Sequence, residues 1–288
     1  MRLKDCSEPN EAHHRDTFMQ VLDSAGRESL SCDYMKKVPS LSMSDIFKRG
    51  HEFYLPHLSV DCVIFGFHDD ELKVLLLEWK DTKRWCLPGG FIQRTEHIDD
   101  AAVRILKSRT GMDKIYLRQF YSFGDPNRDR KKHGIKAPRG VGKSWLMDRF
   151  ITVGYWAIVE FSKVVPAPDE FSLSCTWFDI NEIPDLILDH NEIIEKALSS
   201  LRQHLNDYPI GKDLLPEKFT MPALQRLYET ILDKELDRRN FQKKILSLGV
   251  LDKLKERKTG GAHKAPFLYR FNQKKYEAAL RQGLKFGL

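Results

Sequence analysis

Residues 89–112 read GGFIQRTEHIDDAAVRILKSRTGM and hold a regular pattern of apolar positions between two glycine-containing loops. The apolar residues recur at spacings of three, four and seven, as on one face of a helix: Ile98, Ala101, Ala102 and Ile105. Gly90 precedes this pattern and Gly111 follows it, and glycine tolerates the backbone angles of tight turns. The segment therefore predicts a loop–helix–loop unit whose helix packs on a sheet.

Four residues of this unit resemble the Nudix box in their spacing: Gly90, Glu96, Arg104 and Gly111. In that box, further glutamates on the helix hold Mg²⁺ for the hydrolysis of a diphosphate linked to another moiety. Ile105, Ser108 and Arg109 stand here at the positions of the three clustered glutamates. The segment thus resembles the box in its frame but not in its ion-binding residues.

These replacements change the chemistry of the helix. Positions three and four residues apart meet on one side of a helix, where carboxylates would bind a hard cation and lower the pKa of an attacking water. Ile105 has no ligand atom, Ser108 offers a neutral hydroxyl, and Arg109 brings a positive charge. We therefore predict no catalytic residue, metal or cofactor here. Gly90, Gly111 and Arg104 keep structural tasks, Arg104 by bracing the loop with hydrogen bonds.

Strand-like runs lie on both sides of the unit. SVDCVIFGF (59–67) and LKVLLLEWK (72–80) are separated by the turn-like HDDE, which predicts a hairpin. Further elements are predicted downstream, namely strands at 150–161 and 174–180 and one or two helices at 184–205. Strands that alternate with helices indicate an α/β class, and the resemblance implies a Nudix-like α/β/α sandwich with a mixed sheet over residues 53–207.

The C-terminal part, residues 208–288, has a different pattern. A linker with two prolines and a glycine leads to Thr220, which can cap a helix. The apolar stripe of this helix comprises Leu224, Leu227, Tyr228 and Ile231. A second helix begins after Asp237 and ends at Gly249. The runs VLDKLKERK and FLYRFN then predict a hairpin. Helix, helix and basic hairpin together are the outline of a winged helix-turn-helix domain.

Positive charge is concentrated in the same part of the chain. Residues 234–288 contain 15 Lys and Arg against 5 Asp and Glu, whereas the whole chain has a net charge of +6. A basic segment on a mildly acidic body is typical of a module that binds a polyanion. The polar face of the second helix and the hairpin predict contacts with double-stranded DNA from Arg238, Arg239, Asn240, Lys243, Lys244, Lys255, Arg257, Lys258 and Lys264.

Further segments resemble regulators that fuse a Nudix-like domain to a winged helix: YSFGDPNRDR (121–130), DRFITVGYWAIV (148–159), LLPEKFTMPALQRLYETIL (214–232) and DRRNFQKKI (237–245). The resemblance covers residues 53–288. It is to the arabinose-responsive repressors of Bacteroidetes and to the NrtR group, which controls NAD metabolism. It implies a ligand-responsive transcriptional regulator, a repressor, that binds operator DNA as a homodimer.

The implied effector is arabinose or another pentose, or ADP-ribose or a related nucleotide. Six residues are candidates for binding it. Arg84, Glu96, Asp125 and Arg128 can form hydrogen bonds with a polyol, and Trp85 and Phe123 can stack on it.

Two segments lie outside this pattern. Residues 130–147 replace the family's usual short turn, and GVGKS within them lacks a glycine that a P-loop needs, because Ala137 stands at that position. We expect a mobile basic loop there. Residues 1–52 form a polar extension that is expected to be partly disordered and has no assigned function.

The bulk composition fits a cytoplasmic protein. Hydrophobic residues make up 41% of the chain and charged residues 31%. No apolar run approaches the roughly 20 residues that span a bilayer, and the N-terminal residues lack a secretory signal core. The five cysteines are scattered without a C-x-x-C spacing, which suits a reducing compartment and argues against a structural zinc.

Two other functions fit parts of the sequence. A Nudix hydrolase that uses Glu78, Asp125 or Asp129 as ligands would cleave ADP-ribose or another nucleoside diphosphate derivative with Mg²⁺. A basic winged helix can also bind structured RNA. Turnover of ADP-ribose, and competition between duplex DNA and RNA, distinguish these functions from DNA-dependent regulation.

Overall fold

The computed structural model describes residues 41–80, 82–112, 115–128, 136–137, 140–169, 171–207, 212, 214–258 and 265–282. The predictions that concern residues 1–40, Asp129 and Lys264 lie outside this part of the chain.

Within the described residues, the N-terminal domain is built on a seven-stranded sheet: β1 (Tyr54–His68), β2 (Glu71–Trp79), β3 (Trp85–Cys86), β4 (Gly89–Gln93), β5 (Tyr116–Phe123), β6 (Ile151–Val159) and β7 (Ser172–Asp179). The strands β3, β2, β1, β6 and β5 follow one another across the sheet, while β4 pairs with β1 and β7 with β2. The β1–β6 pair is parallel and the other pairs are antiparallel. The mixed sheet predicted from the sequence is therefore confirmed.

Helices cover both faces of this sheet: α1 (Met43–Arg49), α2 (Ile98–Thr110) and α3 (His190–Asp207). Alternate residues of β1 point to opposite faces. Val60 and Ile64 pack in the core under α2, and Val63 and Phe65 pack in the core under α3. This arrangement is the α/β/α sandwich that the sequence predicts.

The β1–β2 hairpin has a two-residue turn. His68 pairs with Glu71, and the two residues between them, Asp69 and Asp70, have φ angles of 50° and 64°. Two positive φ angles match the turn geometry that follows the natural twist of a hairpin, and aspartate tolerates it better than most residues. The predicted turn HDDE is confirmed.

Helix α2 contains the box residues and has clear ends. His97 accepts a hydrogen bond from the Asp99 backbone at its start, and Gly111 closes it with a φ of 71°. Ala101 and Ala102 are buried, so the helix lies close to the sheet. Its position places residues 104–109 beside β4.

The segment before α3 departs from the sequence prediction. Helix α3 begins at His190, six residues later than the predicted range 184–205. The Asn191 side chain accepts a hydrogen bond from the Leu186 backbone and donates one to the Pro184 carbonyl, which folds the preceding residues into a turn. This local side-chain pairing replaces the helical backbone bonds.

The C-terminal domain has the predicted winged-helix order. It comprises β8 (Phe219–Thr220), α4 (Met221–Leu232), α5 (Arg238–Ser247), β9 (Leu251–Arg257), β10 (Phe267–Phe271) and α6 (Gln273–Arg281). The Thr220 hydroxyl accepts a hydrogen bond from the Ala223 backbone and so caps α4. The predicted stripe of α4 is buried, and Gly249 follows α5 with a φ of 66°. β8 and α6 were not predicted from the sequence.

Residues 41–52, which the sequence assigns to the polar extension, and residues 144–147 at the end of the insertion are folded against each other. Residues 41–52 form α1 and a 3₁₀ turn, and Ile46 and Phe47 are buried against Trp145 and Leu146 of the insertion. These apolar residues are too few to form a periodic pattern, so each segment looked polar by itself. Buried together, they become part of the N-terminal domain.

The two domains contact each other along α3 and α4. The Arg202 guanidinium donates to the Ile231 carbonyl over 2.7 Å, and the Thr230 hydroxyl donates to the Asp70 carbonyl over 3.0 Å. One apolar cluster continues from Leu201 and Leu205 to Leu227 and other α4 residues. The winged helix is thus packed on the sheet domain. No helix in the described ranges is long and apolar enough to cross a membrane.

Candidate functional site

The box residues that this chain retains have structural contacts. The Arg104 guanidinium donates to both carboxylate oxygens of Glu96, over 3.0 and 2.5 Å, and to the Phe91 carbonyl over 2.9 Å. Glu96 also accepts a hydrogen bond from the Gln93 backbone over 2.7 Å. The carboxylate is therefore occupied in holding the loop between β4 and α2, as Arg104 was expected to do.

The residues at the positions of the missing glutamates, Ile105, Ser108 and Arg109, make other contacts. The Arg109 guanidinium donates to Asp169 over 2.8 Å, and the Ser108 hydroxyl donates to the Ile105 carbonyl over 2.7 Å. Ile105 is buried against Gly90, where an added Cβ would lie 3.0 Å from its side chain. In the part of the chain that the structure describes, no group of three or more His, Cys, Asp or Glu is arranged to hold a metal ion. These residues do not fit the Mg²⁺ of the family.

A cavity of about 300 Å³ lies beside this helix. Its aromatic lining comprises Phe47, Tyr54, Trp79, Phe91 and Phe171, and its charged or titratable lining comprises Asp61, Arg104, Arg109, Arg128, Asp169 and His190. The volume is at the lower end of the range for small-molecule sites. Such a lining of rings and hydrogen-bonding groups can bind a small polar ligand.

A network of charged and titratable residues lies at the cavity, and we call it the Arg128 cluster: Asp61, Arg128 and His190 on the wall, and the half-buried Asp189. The Arg128 guanidinium donates to Asp61 over 2.9 Å and to Asp189 over 2.6 Å. His190 Nδ1 accepts a hydrogen bond from the Leu87 backbone over 3.0 Å, and its Nε2 lies 3.8 Å from Asp61. This network ties the segment after β5, strand β1 and the start of α3 together.

Two opposing effects act on the pKa of Asp61. Burial raises it, while the neighbouring His190 and Arg128 lower it, and the outcome is a pKa below the ordinary aspartate value. Asp61 is therefore charged at neutral pH and compensates Arg128.

Of the six predicted effector residues, the structure brings Arg128 to the cavity. Arg84 donates to Asp185 and to the Leu186 carbonyl, and Glu96 is held by Arg104. The other three also lie away from the lining: Trp85 packs edge-on against Phe178, Phe123 is buried in the α3-side core, and Asp125 accepts the Asn127 backbone hydrogen bond. Each of these five residues has a structural contact instead and lies outside the cavity lining, so a role of theirs in effector binding stays a prediction.

Most residues of the cavity lining were not predicted from the sequence. Asp61 had a visible signal, because it is a charged residue inside the apolar run SVDCVIFGF. A charge in a buried strand requires a partner, and that requirement points to a site. Asp169 and His190 had no such signal, since only the folded chain brings them to α2 and β1.

The second candidate site is the outer face of α5. Phe241 and Ile245 are buried, and Arg238, Arg239, Asn240 and Lys243 are exposed on the other side, with Lys244 half-buried. The Asp237 carboxylate accepts a hydrogen bond from the Asn240 backbone over 2.9 Å and fixes the start of the helix. The predicted donor-rich face is therefore presented to solvent.

The hairpin after α5 holds the remaining predicted DNA contacts. Lys255 and Lys258 are exposed. The Arg257 guanidinium lies 3.9 Å from the ring centre of Phe267 and donates to the Ala265 carbonyl over 2.9 Å. Arg257 therefore links the two strands of the β9–β10 hairpin, which is the wing of the domain. The sequence did not predict this structural contact.

The turn between α4 and α5 is held by side chains. The Glu229 carboxylate accepts hydrogen bonds from the Leu236 backbone over 3.0 Å and from Gln225 over 2.9 Å. Gln225 also donates to the Leu236 carbonyl over 2.8 Å. These contacts fix the angle at which α5 leaves α4.

Glu229→Ala is expected to loosen this turn. The Leu236 N–H loses its acceptor, so we expect a loss of roughly 1 kcal/mol in the free energy of unfolding and about fivefold weaker DNA binding. Urea unfolding and fluorescence anisotropy with duplex DNA measure the two effects. Glu192→Ala, which removes an exposed carboxylate of α3, is the control. Unchanged DNA binding by Glu229→Ala would show that the turn does not position α5.

The chain belongs to the Nudix family, whose domain profile matches residues 55–200. Residues 211–271 match the NrtR DNA-binding winged helix domain. The chain therefore has the NrtR-like arrangement, a Nudix domain fused to a C-terminal winged helix, and the predicted resemblance to the NrtR group is confirmed. The resemblance to arabinose-responsive repressors stays a prediction.

Three known proteins illustrate the likeness. The ADPR responsive transcriptional repressor NtrR of Acinetobacter baylyi is 29% identical over 229 residues, which cover 77% of this chain and 84% of that protein. The ADP-ribose pyrophosphatase of Methanocaldococcus jannaschii is 27% identical over 165 residues, covering 56% and 83%. The crystal structure of Shewanella oneidensis NrtR complexed with a 27mer DNA has a TM-score of 0.62 at 25% identity, covering 76% and 95%.

Proposed function

We propose that this protein is a transcriptional repressor of the NrtR type, which binds operator DNA through α5 and the wing and is controlled by a small molecule in the Nudix-domain cavity. One observation carries the proposal: a winged helix with an exposed basic face is packed on a Nudix domain that keeps its cavity but not its ion-binding carboxylates. A cavity that binds without cleaving is what a sensor requires.

Two classes of effector are compatible with this cavity. The Acinetobacter baylyi relative is described as responsive to ADPR, which supports ADP-ribose or a related nucleotide here. The charges of the wall support a free pentose such as arabinose, because Arg104, Arg109 and Arg128 are each paired with a carboxylate. A guanidinium that is already paired with a carboxylate attracts a phosphate less than a free one. A neutral sugar does not need a free cation in order to bind.

Two buried donors favour a ligand with acceptor oxygens. The indole N–H of Trp79 and the Nε–H of Arg109 have no hydrogen-bond partner in the described part of the chain, and both residues line the cavity. A buried donor without an acceptor costs free energy. Small side-chain shifts on binding would let oxygens of either effector satisfy these donors.

Control of DNA binding requires that the effector favours one arrangement of the protein over another. The Arg128 cluster joins the cavity to the start of α3, and Arg202 further along α3 bonds to the end of α4. We propose that a change in the cluster on effector binding is transmitted along this helix to the winged helix. We also propose a homodimer, whose two α5 helices would read two half-sites.

The proposal is tested by fluorescence anisotropy with a labelled duplex from the DNA upstream of the coding sequence, at roughly 0.1 M salt. We expect a Kd of about 10⁻⁸ M or lower, and weaker binding by about tenfold with ADP-ribose or with arabinose. A shuffled duplex and a structured RNA hairpin are the competitors. Equal binding of the shuffled duplex would contradict the operator-binding function, and stronger binding of the hairpin would favour an RNA-binding protein.

Two of the three ligands suggested for the hydrolase alternative have other contacts. Glu78 accepts a hydrogen bond from Ser174 and does not line the cavity, and Asp125 is occupied in a turn. Asp129 lies outside the described residues. Incubation of the protein with ADP-ribose and Mg²⁺ or Mn²⁺ is expected to leave the diphosphate intact, whereas release of AMP would support the hydrolase.

A further inference from the structure

Two segments that are distant in sequence pack on each other beside the cavity. Residues 41–52 precede the part of the chain that the Nudix profile matches. Residues 144–147 lie between β5 and β6 and include a 3₁₀ turn, Trp145–Met147. Together they bury Ile46, Phe47, Trp145 and other residues in one apolar cluster.

Residues 144–147 donate hydrogen bonds to two carbonyl groups of residues 41–52. The Trp145 indole donates to the Ile46 carbonyl over 2.8 Å, and the Ser144 hydroxyl donates to the Phe47 carbonyl over 2.7 Å. The Trp145 ring lies so close to Gly50 that an added Cβ would come within 2.6 Å of it. Glycine is therefore required at position 50 for this close approach.

The inner surface of the pair faces the cavity. Leu41, Ile46, Phe47 and Leu146 all line it, together with charged residues such as Arg109, Asp169 and Arg128. The two segments thus contribute an apolar part of the cavity wall.

We propose that residues 41–52 and 144–147 form a lid over the cavity, that the effector reaches its site when the lid undocks, and that Ile46, Phe47 and Leu146 contact the bound effector. The effector part rests on the proposed function; the lid itself does not. A seven-residue helix such as α1 is marginal alone, so its docked form depends on these contacts. Local undocking then costs less than global unfolding.

A cysteine in the cavity reports whether the lid is closed. Cys86 lines the cavity and is 3% exposed, whereas Cys62 lies buried in the α2-side core and is not part of the lining. Burial raises the pKa of both thiols, so both react slowly when the domain is closed. The rates of modification by N-ethylmaleimide, resolved by peptide mass spectrometry, separate opening of the lid from opening of the core.

Two variants undock the lid in different ways. Trp145→Ala removes the ring and its hydrogen bond, and Gly50→Ala adds a methyl group that displaces the ring. We expect modification of Cys86 to become about tenfold faster in each variant, with Cys62 unchanged. Trp177→Ala, which removes an indole packed on Gly66 and Phe161 away from the lining, is the control and should leave Cys86 slow.

The outcomes test the lid and the effector assignment separately. Unchanged Cys86 rates in both variants, or a parallel rise of Cys62 and Cys86 in both, overturn the lid. In the wild type, ADP-ribose or arabinose is expected to protect Cys86, and in Trp145→Ala about tenfold more of it should be needed. Faster Cys86 modification in the variants without protection by either compound supports the lid and overturns the effector assignment.

Discussion

Simultaneous replacement of Asn240 and Lys243 by alanine is expected to weaken operator binding by about 100-fold, or about 2.7 kcal/mol. Both side chains are exposed on the outer face of α5, one turn apart, while Phe241 and Ile245 hold the helix from the other side. A helix placed in the major groove reads base edges with residues of this face. The variant should keep the fold, because neither side chain is buried.

The salt dependence of binding distinguishes base contacts from phosphate contacts. Arg238 and Arg239 lie at the start of α5, where contacts to the DNA backbone are common. Alanine at either position should reduce the slope of log K against log salt by about 1 and weaken all duplexes similarly. Asn240→Ala should leave the slope unchanged and weaken the operator more than a shuffled duplex.

Anisotropy titrations over a range of salt concentrations measure both effects. Lys163→Ala removes an exposed positive charge from the Nudix domain and is the matched control for net charge. If the double variant binds the operator as tightly as Lys163→Ala does, α5 is not the recognition helix.

The second large effect is expected from Arg128→Leu, which should destabilise the protein by about 3–5 kcal/mol. The Arg128 side chain is only 3% exposed and compensates Asp61, which is buried on the cavity wall, and the half-buried Asp189. Leucine keeps much of the volume but removes the guanidinium that the two carboxylates share. Urea unfolding of the variant and the wild type gives the difference in free energy.

The pH dependence of this difference identifies its cause. The pKa of Asp61 is lowered in the folded protein, so its contribution to stability is present above the ordinary aspartate pKa of about 4 and is lost as the pH falls below it. We expect the deficit of Arg128→Leu to be largest near neutral pH and to shrink on acidification, since a protonated Asp61 needs no cation. Arg49→Leu removes an exposed ion pair with Glu52 and should change stability little at any pH. A deficit that does not depend on pH would point to lost packing instead.

The winged helix could be predicted from the sequence because its signals are local. Thr220 and Gly249 mark helix ends through their own backbone chemistry, and the stripe of α4 repeats with the helical period. The basic residues of α5 lie on the face opposite its apolar residues, so its exposed residues could be identified from the sequence as well. No distant contact was needed to recognise these elements.

The cavity could not be predicted in the same way. Its wall is assembled from β1, α2, α3, the insertion and α1, which are distant in sequence. The effector residues were predicted from their chemistry in three separate segments, and five of the six contact structural neighbours such as Asp185 and Phe178. The partner of Arg109 is Asp169, 60 residues away, and no spacing pattern links the two. Long-range pairing of this kind is a property of the fold alone.

Helix α2 carries an ion pair between Arg109 and Asp169 where the Nudix box has an ion-binding site. Electron paramagnetic resonance of Mn²⁺, which occupies Mg²⁺ sites made of oxygen ligands, tests it most directly. We expect the signal of free Mn²⁺ to persist when the protein is added. Loss of that signal at one ion per chain, with the signal restored in Glu96→Gln, would show that the domain binds a metal ion. That result would contradict this account and support the hydrolase alternative.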